Sequence, residues 1–149
     1  LKFYENVFLN GNEESLITIK EQIKKINPNM NINSGKYTPL NINEFDKNQS
    51  YLVFSGIGNH KTFIEMLKNN KLKIVSDLEY PDHYQYSKKD FDEIIINAKK
   101  YNAHVITTEK DYLRLDNFSR NKIFYVKSSL DILDEKNLTN KLINLNEKN

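Results

Sequence analysis

Short runs of consecutive apolar residues alternate along this chain with segments in which apolar residues recur every three or four positions. Continuous runs of this kind are typical of strands covered on both faces, and the spaced patterns are typical of amphipathic helices. From residue 51 onward they predict the order strand, helix, strand, helix, strand, short helix, strand, helix. The predicted strands are residues 51–54, 72–75, 105–107 and 123–126, the last strand of the chain, and the closing helix carries Leu138, Leu142 and Ile143.

This alternation predicts an α/β fold with a three-layer, Rossmann-like and mostly parallel sheet that has helices on both faces. A strand at residues 7–9 and a helix that ends before Pro28 precede it. Residues 29–50 are polar and rich in asparagine, so we expect a linker or hinge with at most one or two exposed strands there. We therefore divide the chain into residues 1–50, with a strand, a helix and a hinge segment, and residues 51–149, an α/β domain.

Composition narrows the classes of partner. The 22 Lys and Arg residues against 20 Asp and Glu residues give a net charge of +2, with both signs scattered along the sequence. This is unlike the clustered basic stripe of nucleic-acid-binding proteins, so we expect no nucleic-acid partner. The absence of cysteine excludes disulfides, thiolate metal sites and thiol nucleophiles. No apolar run in the sequence reaches the length of a membrane span. Since the first residue is Leu1 rather than Met, the chain is either processed or part of a longer protein, and we expect the second.

Candidate chemistry lies in the loops after the predicted strands, because parallel α/β sheets bind ligands at the carboxyl ends of their strands. Residues 80–84 form the most informative loop, in which Pro81 stiffens the backbone beside Asp82 and His83. Adjacent residues of an extended segment point to opposite sides, so we expect a carboxylate other than Asp82 to orient His83. The alternative is that both side chains only satisfy loop backbone groups or cap the next helix.

A second loop, residues 56–59, turns a strand directly into a helix. Gly56 and Gly58 allow a ligand to approach the backbone closely, and the N–H groups at the helix start beside Asn59 attract anions. These residues are therefore candidates for cofactor binding. Lys61 stands where a dinucleotide-binding fingerprint has its third glycine, and the alternative is a tight turn with Asn59 as the helix cap.

The third loop, residues 107–111, places two hydroxyls, two carboxylates and an ammonium at a strand end. Groups such as the Thr108 hydroxyl and the neighbouring carboxylates could bind Mg²⁺, and Lys110 could contact a phosphate. The alternative is an ion-paired helix start. His60 and His104 have no metal-ligand spacing with His83, and we predict no resident metal site.

In this order and spacing the three loops resemble one family. Their sequences are Gly-Ile-Gly-Asn, Tyr-Pro-Asp-His-Tyr and, with the strand before the third loop, Val-Ile-Thr-Thr-Glu-Lys-Asp. The combination resembles the tetraacyldisaccharide 4'-kinases, which phosphorylate the lipid A disaccharide precursor with ATP. The chain departs from the usual motifs with Tyr80 in place of Phe and with His60 where Pro is frequent.

The resemblance implies that this chain is the C-terminal portion of such a kinase. The family carries its ATP-binding P-loop in an N-terminal half, after a membrane-anchoring segment, and no Gly-x-x-x-x-Gly-Lys-[Ser/Thr] occurs in this sequence. ATP and Mg²⁺ would be bound mainly by that half, so we expect no cofactor in this portion and no activity from it alone. The implied partners are the P-loop half and the lipid tetraacyldisaccharide 1-phosphate. The implied location is the cytoplasmic face of the bacterial inner membrane, contacted through the absent segment.

The resemblance also implies roles for residues. His83 matches a histidine that pairs with a catalytic aspartate of the other half, and that aspartate takes the proton of the sugar 4'-hydroxyl. Asp82 would be a secondary residue of this site. Residues 56–59 would face the cleft between the halves, and residues 29–45 would form the hinge. Thr108 and Lys110 stay candidates for cofactor binding, and the resemblance assigns no contacts to Lys110 and Asp111.

A function of a different class stays open, which is a non-catalytic α/β module that binds a small anionic ligand or a protein partner. The missing P-loop motivates this alternative. A P-loop encoded upstream of Leu1 would favour the kinase, and a start codon at this boundary would favour the module.

Overall fold

The computed structural model describes residues 3–11 and 13–146, which form seven strands, six α-helices and one 3-10 helix at Ile42–Glu44. In chain order the other elements are β1 (Asn6–Asn10), α1 (Glu13–Ile26), β2 (Asn31–Pro39), β3 (Ser50–Ser55), α2 (His60–Asn69), β4 (Lys73–Glu79), α3 (Lys88–Lys100), β5 (His104–Thr108), α4 (Glu109–Tyr112), α5 (Asn117–Arg120), β6 (Phe124–Val126), β7 (Ser128–Ile132) and α6 (Glu135–Asn146).

The chain divides into two compact units, one of residues 1–38 with 129–149 and one of residues 39–128. This grouping differs from the predicted division after residue 50. It does so because β7, which the apolar pattern did not reveal, pairs with β2. The sequence had indicated that β6 is the last strand of the chain. This prediction is wrong, because β7 follows it. In β7 polar residues interrupt the apolar ones, so no continuous run marks it.

The first unit contains a three-stranded sheet in the order β1-β2-β7, in which β1 and β2 run parallel. The strand β2 lies in the middle of this sheet, and its residues Asn33 and Ser34 are buried. The expectation that residues 29–50 hold only exposed strands is therefore wrong. The buried polar groups of Ser34 are satisfied by hydrogen bonds. Its carbonyl accepts from the Leu133 amide, and its hydroxyl accepts from the Lys20 ammonium.

The predicted closing helix is present as α6. Of its three predicted core residues, Leu138 is half-buried and Ile143 is exposed, while the side chain of Leu142 lies outside those described. In the parts of the chain that the structure describes, no helix has both the length and the apolar character needed to cross a bilayer.

The second unit contains the predicted parallel sheet, with four strands in the order β4-β3-β5-β6. Successive side chains of a strand point to opposite faces. Helix α2 packs on the face that carries Tyr51 and Val53, and α3 packs on the face that carries Leu52 and Phe54. The prediction of an α/β fold with a mostly parallel sheet and helices on both faces is confirmed.

The strand order explains where a ligand site can form in this unit. From β3 the chain passes through α2 to β4 on one side, and then through α3 to β5 on the other side of β3. Because these two crossovers diverge, the carboxyl ends of β3 and β5 border a topological switch point, where open α/β sheets bind ligands. Residues 56–59 form the loop after β3, and α4 begins directly after β5 at Glu109.

Candidate active site

The loop of residues 80–84 folds back onto the carboxyl end of β3. The Tyr80 amide donates to the Ser55 carbonyl at 2.9 Å, and the His83 amide donates to the Gly56 carbonyl at 3.1 Å. A Cβ atom at Gly56 would lie 3.0 Å from the Pro81 carbonyl oxygen, tighter than ordinary contact. Gly56 thus allows the backbones of the two loops to pack closely together. The sequence had indicated that this glycine allows the close approach of a ligand.

His83 has a backbone φ of 61°, in the left-handed region that is uncommon for residues other than glycine. Its amide is held by both the Gly56 carbonyl and the Asp82 side chain, whose Oδ1 accepts at 2.9 Å. The imidazole is 70% exposed. A strained residue that its surroundings hold in place is typical of functional sites, so the backbone supports His83 as a candidate.

The expected separation of Asp82 from His83 is wrong. The segment turns at His83 instead of staying extended, so the two side chains do not alternate. The Asp82 Oδ2 atom lies 3.7 Å from the His83 Nε2 atom. Both side chains are largely exposed, so this ion pair is worth little by itself when His83 is protonated.

Arg114 contacts the opposite edge of the His83 ring, with its Nη2 atom 3.0 Å from Nδ1. The Arg114 side chain is only 15% exposed. Its Nη1 atom donates to the Gly56 carbonyl at 3.2 Å and to Asp111 Oδ1 at 3.1 Å. Sequence reasoning missed this residue. The i,i+3 spacing of Asp111 and Arg114 was the available signal for an ion pair. Nothing in the sequence indicated that Arg114 contacts His83.

Asp111 is fully buried and lies at the centre of the network. Its Oδ2 atom accepts from the Gly56 amide at 3.1 Å and from the Thr108 hydroxyl at 2.7 Å, and its Oδ1 atom pairs with Arg114. The Thr108 hydroxyl in turn caps α4 by accepting from the Asp111 amide. The segment therefore forms the ion-paired helix start that was the alternative to a Mg²⁺ site, and Lys110 is exposed.

Asn59 and Gly58 fit the tight-turn interpretation of their loop. The Asn59 side chain accepts from the Thr62 amide at 3.2 Å and so caps α2. A Cβ at Gly58 would meet only the Asp82 Oδ2 atom, at 3.7 Å. The structure thus brings Gly56, Asp82, His83 and Thr108 together around Arg114, with Gly58 beside Asp82. Asn59 serves the helix start.

His60 is 4% exposed and has a structural role. Its Nδ1 atom lies 2.7 Å from the Ser55 hydroxyl, and its Nε2 atom lies 3.0 Å from Asp77 Oδ2. This bridge connects the carboxyl end of β3 with β4. The serine is completely buried, so the Ser-His-Asp arrangement cannot serve as a nucleophile for an external substrate.

Aromatic rings pack beneath the loop that carries His83. Tyr80, Tyr84 and Tyr86 contact one another, and Phe54 contacts both Tyr80 and Tyr86. Burial, and then the neighbouring Asp90 carboxylate, raises the pKa of Tyr80 to about 12. Burial, followed by the Asp111 carboxylate, raises the pKa of Tyr86 above its usual value. Both phenols therefore stay neutral beneath the loop at physiological pH.

The raised pKa of Tyr80 predicts a loss of stability in alkali. Because folding favours the neutral phenol, its contribution is complete below the unfolded pKa of about 10 and is lost as the pH rises through about 12. We expect the thermal midpoint of the full-length protein to fall less in Tyr80→Phe than in wild type between about pH 9 and about pH 11. Tyr37→Phe, at an exposed tyrosine, is the control and should follow wild type. Equal losses in both variants would contradict the prediction.

Comparison with known proteins identifies a family model and relatives to which this chain is similar. Residues 5–147 match the family model described as "Tetraacyldisaccharide-1-P 4'-kinase". The tetraacyldisaccharide 4'-kinase of Pelagibacter ubique (strain HTCC1062) is 88% identical over 149 residues, which are 100% of this chain and 48% of that protein. The enzyme of the same name from Rickettsia typhi is 41% identical over 99 residues, covering 63% of this chain and 30% of that protein.

A solved structure is also similar. It is the "apo" form of LpxK from Aquifex aeolicus in complex with ATP, with 18% sequence identity and a TM-score of 0.47. The similarity covers 93% of this chain and 51% of that one. The chain thus spans about half the length of both proteins, 48% of the Pelagibacter enzyme and 51% of the chain in the solved structure.

Proposed function

Because the chain belongs to the tetraacyldisaccharide 4'-kinase family, we propose that it supplies the C-terminal half of an enzyme of lipid A biosynthesis. The whole enzyme would transfer the γ-phosphate of ATP to the 4'-hydroxyl of tetraacyldisaccharide 1-phosphate. The observation that carries this proposal is the family match over residues 5–147, which is nearly the whole chain. The convergence of the three motif loops at one edge of the sheet supports it.

In the proposed site, His83 meets a catalytic aspartate from the other half of the enzyme. That carboxylate takes the proton of the 4'-hydroxyl, and Asp82 is a secondary residue. The support is geometric, since the His83 imidazole is 70% exposed while its backbone and one ring edge are held. An exposed but oriented side chain is suited to a partner that arrives from another domain.

We place ATP and Mg²⁺ mainly in the half of the enzyme that carries a P-loop, because this sequence contains no such motif. The lipid substrate would be met at the cytoplasmic face of the inner membrane. Residues 29–45 stay the proposed hinge, and residues 56–59 stay the segment proposed to face the cleft. Lys110 is exposed and stays a candidate for contact with phosphate.

The test is a phosphate-transfer assay on the full-length protein and on residues 1–149 alone. We expect the full-length protein to convert tetraacyldisaccharide 1-phosphate into its 4'-phosphorylated product with ATP. The isolated chain should transfer none. Robust transfer by the isolated chain would refute the division of labour between the halves. No transfer by the full-length protein would refute the kinase and would favour the non-catalytic module.

A further inference from the structure

We infer that Arg114 is a positioning residue, which fixes the His83 ring so that its Nε2–H is presented to the catalytic carboxylate. The inference rests on the proposed function and adds a residue to it. The geometry begins at the 3.0 Å contact between Arg114 Nη2 and His83 Nδ1. A guanidinium has only donors and stays charged in proteins, so Nδ1 must accept in this contact. The neutral ring then carries its proton on Nε2.

Arg114 can perform this role because its own position is fixed. It pairs with Asp111, which is 0% exposed, and it donates to the Gly56 carbonyl. The same carbonyl accepts from the His83 amide. A single backbone oxygen therefore fixes the main chain of His83 and the guanidinium that contacts its ring. The buried Asp111 carboxylate accepts from the same Nη1 atom that donates to this carbonyl, so the orientation of the imidazole derives from the sheet core.

The consequence for the reaction is a hydrogen-bond donor aimed at a base. In the proposed transfer, the 4'-hydroxyl gives its proton to the carboxylate, the oxygen bonds to the γ-phosphorus, and ADP leaves with the electrons of the broken P–O bond. The Nε2–H of His83 donates to that carboxylate and orients it, and His83 itself carries no proton of the substrate. The Asp82 Oδ2 atom lies 3.7 Å from Nε2, beyond hydrogen-bond distance, so the ring is held mainly by Arg114.

The chain offers a matched control, because it has two arginines and the other is Arg120. Arg120 donates to the carbonyls of Tyr112 and Leu113 and does not contact His83. We choose Arg114→Lys as the main variant, since lysine keeps a charge beside Asp111. A single ammonium on a flexible stem cannot reproduce the fork that joins Asp111, Gly56 and His83. Arg114→Met, which removes every donor, is the second variant.

The first measurement is steady-state kinetics of the full-length enzyme. We expect Arg114→Lys to lower kcat roughly 10- to 100-fold with little change in KM, because a misoriented base loses rate more than binding. Arg120→Lys should stay within about twofold of wild type, as expected for a substitution outside the site. If kcat of Arg114→Lys equals that of Arg120→Lys, the inference is overturned. If wild type is inactive, the proposed function fails first.

The second measurement does not depend on activity. Long-range ¹H–¹⁵N spectra of the full-length protein with labelled histidine report which ring nitrogen is protonated, and His83→Gln assigns the signal. We expect the Nε2–H tautomer in wild type and Arg120→Lys, and a mixture of tautomers in Arg114→Lys and Arg114→Met. An unchanged tautomer in both Arg114 variants would overturn the positioning role even if kcat fell, since the loss would then be structural.

Discussion

We expect His83→Ala to lower kcat of the full-length enzyme roughly 10²- to 10⁴-fold, because the carboxylate that His83 orients is the proposed general base, and a positioned general base contributes in that range. The imidazole is 70% exposed, so its loss should act on the reaction more than on the fold. The measurement is kcat and KM for ATP and for the lipid. KM should change little, because the carboxylate that His83 orients acts in the transition state.

Two variants separate the imidazole from its backbone. His83→Asn keeps a residue that tolerates the left-handed φ of 61° but lacks the ring, and we expect it to be as inactive as His83→Ala. His104→Ala is the matched control, because His104 begins β5 at the opposite end of the strand and should retain wild-type kcat. An unchanged kcat in both His83 variants would rule out the proposed role and leave the loop without a function in catalysis.

The parallel sheet could be predicted because burial on both faces makes strands continuously apolar. In β3, Leu52, Val53 and Phe54 are all 0% exposed. The central strand of the first unit, β2, could not be predicted as a buried strand, for the opposite reason. It buries Asn33 and Ser34, whose polar side chains give no apolar signal in sequence. Where a strand buries polar side chains, the pattern of apolar residues alone cannot locate it.

The site was predicted in part, for a related reason. Topology alone placed the three loops at the carboxyl ends of the strands, and they do meet there. The orientation of each side chain was not accessible. The left-handed turn at His83 has no local signature in Tyr-Pro-Asp-His-Tyr, so strand alternation gave the wrong direction for Asp82. Arg114 joins the site through contacts that are distant in sequence, with the Gly56 carbonyl across 58 positions and with His83 across 31 positions.

Replacing Asp111 should give the largest loss of stability in this site. Asp111→Ala leaves Arg114, only 15% exposed, without its carboxylate partner. Removing one partner of a buried ion pair typically costs about 3–5 kcal/mol, because the other charge stays buried and uncompensated. The Gly56 amide and the Thr108 hydroxyl lose their acceptor as well. We therefore expect the unit of residues 39–128 to open much more readily than in wild type.

Hydrogen exchange of the β3 and β5 amides in the full-length protein measures this opening without assuming that the whole protein unfolds in one step. A loss of about 3–5 kcal/mol should accelerate their exchange roughly 10²- to 10⁴-fold. Asp111→Asn keeps an oxygen for the Gly56 amide but no charge for Arg114, so it should lie between wild type and Asp111→Ala. Glu109→Ala, at an exposed carboxylate of the same short helix, should stay within about 0.5 kcal/mol of wild type. If Asp111→Ala exchanges no faster than Glu109→Ala, the buried pair does not hold these loops together, and the orientation of His83 must have another origin.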